Sequence, residues 1–97
     1  MTDEQSITLP TANEIQGRLQ AVLSPTTLEV IDESAQHAGH AGAGPLGFGT
    51  HFRVRIASTH FDGLSKVAQH RLVYDALRDF LDRGLHALAI VILKTAP

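Results

Sequence analysis

Three consecutive segments decide the fold: HFRVRIAS at residues 51–58, SKVAQHRLVYDALRDFLDR at residues 65–83, and LHALAIVIL at residues 85–93. The first alternates apolar and polar side chains, which predicts a half-buried strand. The second carries apolar residues at helical spacing, and Ser65 and Gly84 suit its two caps. The third is continuously apolar, as buried strands often are. A strand, a helix and a strand in this order form a crossover unit, so we expect the two strands to be parallel.

Parallel strands begin at the same rim of a sheet, and both predicted strands begin with a histidine. His51 opens the first and His86 opens the second. The loop that feeds the first strand, residues 35–50, adds His37 and His40. Four of the six histidines are therefore expected near one rim, which is the main functional signal in the residues themselves.

The chain before this unit predicts a leader, a helix and one further strand. Residues 1–10 are polar and lack a hydrophobic period, so we expect a flexible leader followed by a single domain over residues 11–97. Thr11 and Glu14 have the spacing of a capping box, which predicts a helix that ends before Pro25.

The further strand is predicted at residues 28–34, LEVIDES. Its Glu29 and Glu33 could meet Arg53 and Arg55 across an antiparallel pair. These charges are typical of a solvated sheet face.

The loop at residues 35–50, AQHAGHAGAGPLGFGT, shows neither helical nor strand period. Loops of this length inside a compact domain are usually functional or disordered. Because the loop is rich in glycine, we expect a partner or a metal to fix its histidines.

Composition excludes several classes of protein. The 97 residues include no cysteine, so structural disulfides and cysteine-based zinc fingers are excluded, and the chain alone cannot supply thiolates to an iron–sulfur cluster. A formal net charge of -2 gives no general reason to expect tight nucleic-acid binding. The apolar run at residues 87–93 is too short to cross a bilayer and no secretory signal opens the chain, so we expect a cytoplasmic protein without a membrane partner.

The residues give little support to catalysis. No serine or threonine lies in a nucleophile motif. Asp79 with Arg83 and Asp75 with Arg78 have the spacing of helical ion pairs, which accounts for these carboxylates as surface residues. We therefore expect a protein that is not an enzyme.

Metal binding is the better-supported chemistry. Neutral imidazole is a good ligand for iron, zinc and copper, and His37, His40 and His86 combine two loop positions with one strand position. Their spacing matches no specific zinc motif. The alternative is that the loop histidines are merely exposed and that His86 bonds to the backbone.

Several separated segments resemble the signature blocks of BolA proteins. They are LEVIDES, THFRVRIAS, FDGLSKVAQHRLVY and GLHALAI, and the resemblance covers the chain after the first ten residues. Gln69 departs from the pattern, since many members have arginine there. The resemblance implies an α+β fold like the type II KH domain, with helices packed on one face of a three-stranded mixed sheet.

The resemblance also implies a function. BolA proteins pair with monothiol glutaredoxins, and the complex can hold a [2Fe–2S] cluster for which the partner and glutathione supply thiolates. The family's carboxy-terminal ligand histidine corresponds to His86, and its loop ligand corresponds to His37, with His40 as a nearby substitute. The chain is then a non-catalytic adaptor in iron–sulfur cluster trafficking or iron homeostasis.

The alternative function is a DNA-binding transcriptional regulator. Its candidate contacts are Lys66, His70 and Arg71 near the start of the long helix, with Arg53 and Arg55 on the sheet. The competing interpretation of the helix residues is a solvated face in which His70 packs against Tyr74. A homodimer is left open.

Overall fold

The computed structural model describes residues 9–37 and 49–95, except for the side chains of residues 36 and 37. The helices and strands, in chain order, are α1 (Ala12–Leu23), β1 (Thr27–Asp32), β2 (His51–Ala57), α2 (Lys66–Ala76), α3 (Arg78–Asp82) and β3 (Ala87–Ile92). Two short 3-10 turns span Ser34–His37 and Thr59–Phe61. None of the helices in these ranges has the length and apolar character that a membrane span requires.

Helix α1 begins at the predicted capping box. The Glu14 N–H donates to the Thr11 hydroxyl at 3.2 Å, and the Thr11 N–H donates to the Glu14 carboxylate at 3.1 Å. These two bonds satisfy backbone donors that have no partner within the helix. The helix buries Ile15, Leu19 and Leu23, which form its contact with the sheet.

The three strands form one mixed sheet in the order β1-β2-β3. Strands β1 and β2 are antiparallel, whereas β2 and β3 are parallel, which confirms the predicted crossover. The predicted cross-strand ion pairs are also present: Arg55 lies 3.1 Å from Glu29, and Arg53 lies 2.9 Å from Glu33.

The two faces of the sheet differ in character. Among the described residues, no helix packs against the face that carries these ion pairs, and we call it the open face. The other face buries Phe52, Val54 and Ile56 against side chains of α1, α2 and α3. The α+β architecture with helices on one face of a three-stranded mixed sheet is thereby confirmed.

The long helix predicted over residues 65–83 is divided in the structure. Helix α2 ends at Ala76, and α3 begins at Arg78. Between them, Leu77 has φ −109° and ψ 14°, and its N–H is shared between the carbonyls of Val73 and Tyr74. The chain tightens into a single turn at this residue without glycine or proline, so composition gave no sign of the break.

The contact between α1 and α3 corrects one predicted ion pair. Asp79 pairs with Arg18 and Glu14 pairs with Arg83, rather than Asp79 with Arg83. Both guanidinium groups also lie about 5 Å from the ring centre of Phe80, at 4.9 and 5.0 Å. Both arginines therefore lie against the buried Phe80 ring. Each forms an ion pair across the contact between the helices, Arg18 with Asp79 and Arg83 with Glu14. Arg83 lowers the pKa of Glu14, and Arg18 lowers the pKa of Asp79.

Leu9 and Pro10, which the sequence assigned to the leader, contact the domain. Pro10 is buried, and Leu9 lies against the backbones of Gly49 and Gly84. These glycines have φ of +80° and +108°, and a Cβ on either would come within 2.8 Å of the Leu9 side chain. Both positions therefore require glycine for conformation as well as for space. Residues 1–8 lie outside the described residues.

Candidate functional site

The starts of β2 and β3 lie together at one rim of the sheet. His51 is the first residue of β2 and pairs in register with Ala87, the first residue of β3. The end of β1 lies beside them, because the Glu33 N–H donates to the His51 carbonyl at 2.8 Å. We call the region formed by Ser34–His37, Thr50, His51 and His86 the histidine rim.

Ser34 fixes the backbone of the histidine rim. Its buried hydroxyl accepts hydrogen bonds from the N–H groups of Thr50 and His51, each at 2.9 Å. It also donates to the His51 carbonyl at 3.4 Å. A serine hydroxyl has two acceptor sites and one donor, so these contacts use its full capacity. The turn after β1 is thereby attached to the start of β2.

Asp32 makes a second attachment. Its carboxylate accepts from the Ser34 N–H at 2.9 Å and from the Gly49 N–H at 3.0 Å. Burial acts to raise the pKa of Asp32, but the hydrogen bonds from Ser34 and Gly49, together with the charge of His51, lower it below the ordinary value of 3.8. The carboxylate is thus held in its charged form at the base of the rim.

We expect Asp32→Asn to destabilise the protein at neutral pH more than in acid. A carboxylate with a lowered pKa in the folded state stabilises that state above its unfolded pKa, and the contribution is lost as the pH falls through the folded value. Urea unfolding of both proteins at pH 7 and near pH 3 measures the difference in free energy of unfolding. An equal difference in the free energy of unfolding at both pH values would contradict this role. Protonation of the Asp32 carboxylate in acid should remove the same stabilisation that the substitution removes, so the two proteins should differ less near pH 3.

The structure places His51 and His86 side by side. Their ring centroids are 5.4 Å apart and the rings are tilted by 50°. His51 is buried and its Nδ1 lies 3.0 Å from the Thr50 hydroxyl, whereas the His86 side chain is exposed. The Thr50 carbonyl accepts from the N–H groups of His86 and Ala87 at 2.7 and 3.0 Å. The predicted meeting of these two histidines at one rim is confirmed.

The two loop candidates are only partly within the described residues. The backbone of His37 ends the 3-10 turn that follows β1, and this turn contacts β2. The side chain of His37 and all of His40 lie outside the described residues. Among the side chains that the structure does describe, no group of three or more histidine, aspartate or glutamate residues is arranged to hold a metal ion. His86 is therefore an exposed imidazole without a complete metal site around it in that part of the chain.

Sequence reasoning missed the roles of Asp32, Ser34 and Thr50. The hydrogen bond from the Ser34 N–H to the Asp32 carboxylate forms an Asx turn. Such a turn could have been predicted, because an aspartate with a serine two residues later at the end of a strand is typical of it. The bonds from Ser34 to Thr50 and His51 span 16 and 17 residues, and no local pattern announces contacts at that separation.

The candidate nucleic-acid contacts do not form one surface. Lys66, His70 and Arg71 line a groove of about 580 Å³ along α2, together with Val67 and Tyr74. The other two candidates, Arg53 and Arg55, lie on the open face, on the side of the sheet away from the helices. There they are paired with glutamates, so they add little positive charge to any phosphate site. His70 and Tyr74, which the competing interpretation expects to pack together, both line this groove.

Comparison with known proteins identifies the family. The family model described as BolA-like protein matches residues 19–96. Protein BOLA1, chloroplastic, of Arabidopsis thaliana is 51% identical over 81 residues, which make up 82% of this chain and 51% of that protein. BolA-like protein 1 of Homo sapiens is 44% identical over 81 residues, or 84% of this chain and 56% of that protein. The chain thus spans about half the length of these curated relatives.

The fold gives the same result. The solved structure of BolA1 from Arabidopsis thaliana superimposes with a TM-score of 0.75 at 48% identity, covering 88% of this chain and 92% of that one. The chain belongs to the BolA-like protein family.

Proposed function

We propose that the protein is a non-catalytic adaptor in iron–sulfur cluster trafficking and iron homeostasis. In this role it supplies histidine ligands to a [2Fe–2S] cluster shared with a monothiol glutaredoxin and glutathione. His86 is the strand ligand, and His37 or His40 is the loop ligand. The observation that carries the proposal is the exposed His86 imidazole at a rim to which the histidine-bearing turn Ser34–His37 is attached through Ser34.

The ligand chemistry of the chain fits a shared cluster. Because the chain has no cysteine, any thiolate must come from a partner, here the glutaredoxin and glutathione. The chain offers imidazole, which replaces thiolate in some [2Fe–2S] centres and raises their reduction potential. The ladder of β2 and β3 and the carbonyl of Thr50 fix the backbone of His86, so its ring starts from a defined position.

A mixing experiment tests the proposal. The protein is added to a cluster-loaded monothiol glutaredoxin with glutathione, and visible absorption and circular dichroism are recorded. Exchange of a thiolate for an imidazole ligand changes the charge-transfer bands, so we expect a new spectrum that saturates as the protein is added. A spectrum that stays the sum of the separate components would refute the shared cluster.

Cluster retention in the complex is expected to be more sensitive to acid than retention by the glutaredoxin alone. Imidazole binds metal only in its neutral form, so protons compete with the cluster for His86 and for the loop histidine. On stepwise acidification, the visible absorption of the complex should fall at a higher pH than that of the cluster-loaded glutaredoxin. Coincident losses would argue against histidine ligation.

A DNA-binding role is the second candidate, supported by Lys66, His70 and Arg71 along the α2 groove. Phosphate contacts release counterions, so affinity should fall steeply with salt. In gel-shift titrations at several salt concentrations, Lys66→Ala and Arg71→Ala should weaken binding, whereas the control Arg55→Ala, already paired with Glu29, should not. Negligible binding even at low salt would remove this role.

The cytoplasmic location expected from the sequence stays a prediction.

A further inference from the structure

The histidine rim contains one imidazole that the proposed cluster does not use. His51 is buried, yet its ring centroid lies 5.4 Å from that of the exposed His86. Two imidazole rings that bind one tetrahedral zinc ion have nitrogens about 2.0–2.1 Å from the metal, which places their centroids roughly 5 Å apart. The pair is therefore spaced as two ligands of a single ion would be.

Thr50 contacts the ring of His51 and the backbone of His86. Its hydroxyl lies 3.0 Å from Nδ1 of His51, and its carbonyl accepts the N–H of His86. In the tautomer whose Nδ1–H donates to the Thr50 hydroxyl, the lone pair of the His51 ring lies on Nε2, which is then the nitrogen that binds a metal. Metal-binding histidines usually donate their second ring nitrogen to such a partner, which fixes both the tautomer and the ring orientation. The Thr50 backbone is itself held by the Ser34 hydroxyl.

The charge around the pair suits a cation. The Asp32 carboxylate is close enough to His51 to interact with it electrostatically, and it is attached to the same turn. Glu33, His51 and Ala87 also line a cavity of about 200 Å³ on the open face, which gives water access from that side. Ala87, which also lines this cavity, has a small side chain and leaves room beside the His51 ring.

We propose that His51 and His86 together bind a divalent transition-metal ion of the zinc type, with water completing its coordination. Resting on the proposed cluster role, the inference has a regulatory consequence. An ion on this pair occupies His86 and so competes with the shared cluster for the same imidazole. The pair then couples cluster acceptance to the free concentration of such ions.

Zinc chloride titration by calorimetry, followed by NMR of the histidine rings, tests the site. The wild type should bind Zn²⁺ with ring signals of both His51 and His86 shifting together. His51→Asn keeps a donor for Thr50 but lacks Nε2, and it should weaken binding at least tenfold, as should His86→Ala. Thr50→Val, which removes the second-shell partner, should cost about 10–100-fold in affinity.

The control variants are His60→Ala, His70→Ala, His37→Ala and His40→Ala, all of which should retain Zn²⁺ binding. Zinc binding that survives His51→Asn in a folded protein, or that requires His37 or His40 instead, would overturn the inference. If His51→Asn does not fold, the ring shifts in the wild type and the loss in Thr50→Val decide the question.

The cluster assay keeps this inference separate from the proposed function. His51→Asn should still accept the cluster from the glutaredoxin but should no longer be inhibited by Zn²⁺. A wild type that binds Zn²⁺ through this pair yet never shares a cluster would refute the proposed function alone. A wild type that shares the cluster but binds Zn²⁺ elsewhere would refute the metal pair alone.

Discussion

His86→Ala is expected to abolish the spectral change that the protein causes in a cluster-loaded monothiol glutaredoxin. The substitution removes an exposed imidazole and leaves a residue that cannot bind iron. Because His86 lies on the surface, we expect the free energy of unfolding to change by no more than about 0.5 kcal/mol. Visible circular dichroism of the mixture measures the effect, and thermal unfolding verifies the fold.

The matched control is His60→Ala. His60 is also exposed but lies in the turn Thr59–Phe61, which follows the carboxy-terminal end of β2, away from the histidine rim. Its removal should leave the spectral change intact. An unaltered spectral response in His86→Ala would refute the assignment of the strand ligand, whatever the controls show.

Ser34→Ala is expected to lower the free energy of unfolding by about 2–4 kcal/mol. The substitution leaves the N–H groups of Thr50 and His51 without their acceptor in a buried environment, and each unsatisfied group costs about 1–3 kcal/mol. Ser34 is completely buried, so water does not readily replace the hydroxyl. Urea unfolding monitored by far-UV circular dichroism gives the value.

Ser65→Ala provides the comparison. Ser65 caps α2 through one exposed bond to the Ala68 N–H, and loss of such a cap costs about 1 kcal/mol. The buried serine should therefore prove distinctly more costly to remove than the exposed one. Equal losses would mean that the Ser34 hydroxyl does not hold the histidine rim together.

The sequence predicted those features that depend on local periodicity. The alternation in residues 51–58 predicted β2, and the Thr11–Glu14 spacing predicted the start of α1. The parallel pairing of β2 with β3 followed from the crossover, and it correctly brought His51 and His86 to one rim. Each of these rests on residues close in sequence or on a general rule of chain topology.

Features that depend on tertiary contact could not be predicted in the same way. The break at Leu77 has no helix-breaking residue to announce it. The charge pattern suggested a pair between Asp79 and Arg83, but the docking of α1 gave each a different partner. A local pair on an exposed helix is worth only about 0.2–0.5 kcal/mol, so a neighbouring helix readily changes the choice.

The candidate site was predicted as a set of histidines but not as a structure. The positions of the histidines and the order of the strands follow from the sequence, so His86 could be predicted as a candidate metal ligand. The Ser34 hydroxyl and the Thr50 carbonyl that fix the rim act through bonds between distant segments. Those bonds give the histidines their positions, and they appear only when the sheet is assembled.

Pulsed electron paramagnetic resonance of the reduced shared cluster tests the central claim most directly. The protein is labelled with ¹⁵N-histidine and combined with unlabelled glutaredoxin, glutathione and iron. Histidine ligation predicts strong ¹⁵N couplings to the cluster, with the coupling from the strand ligand missing in His86→Ala. A cluster formed in the complex without any strong ¹⁵N coupling from this chain would contradict the account.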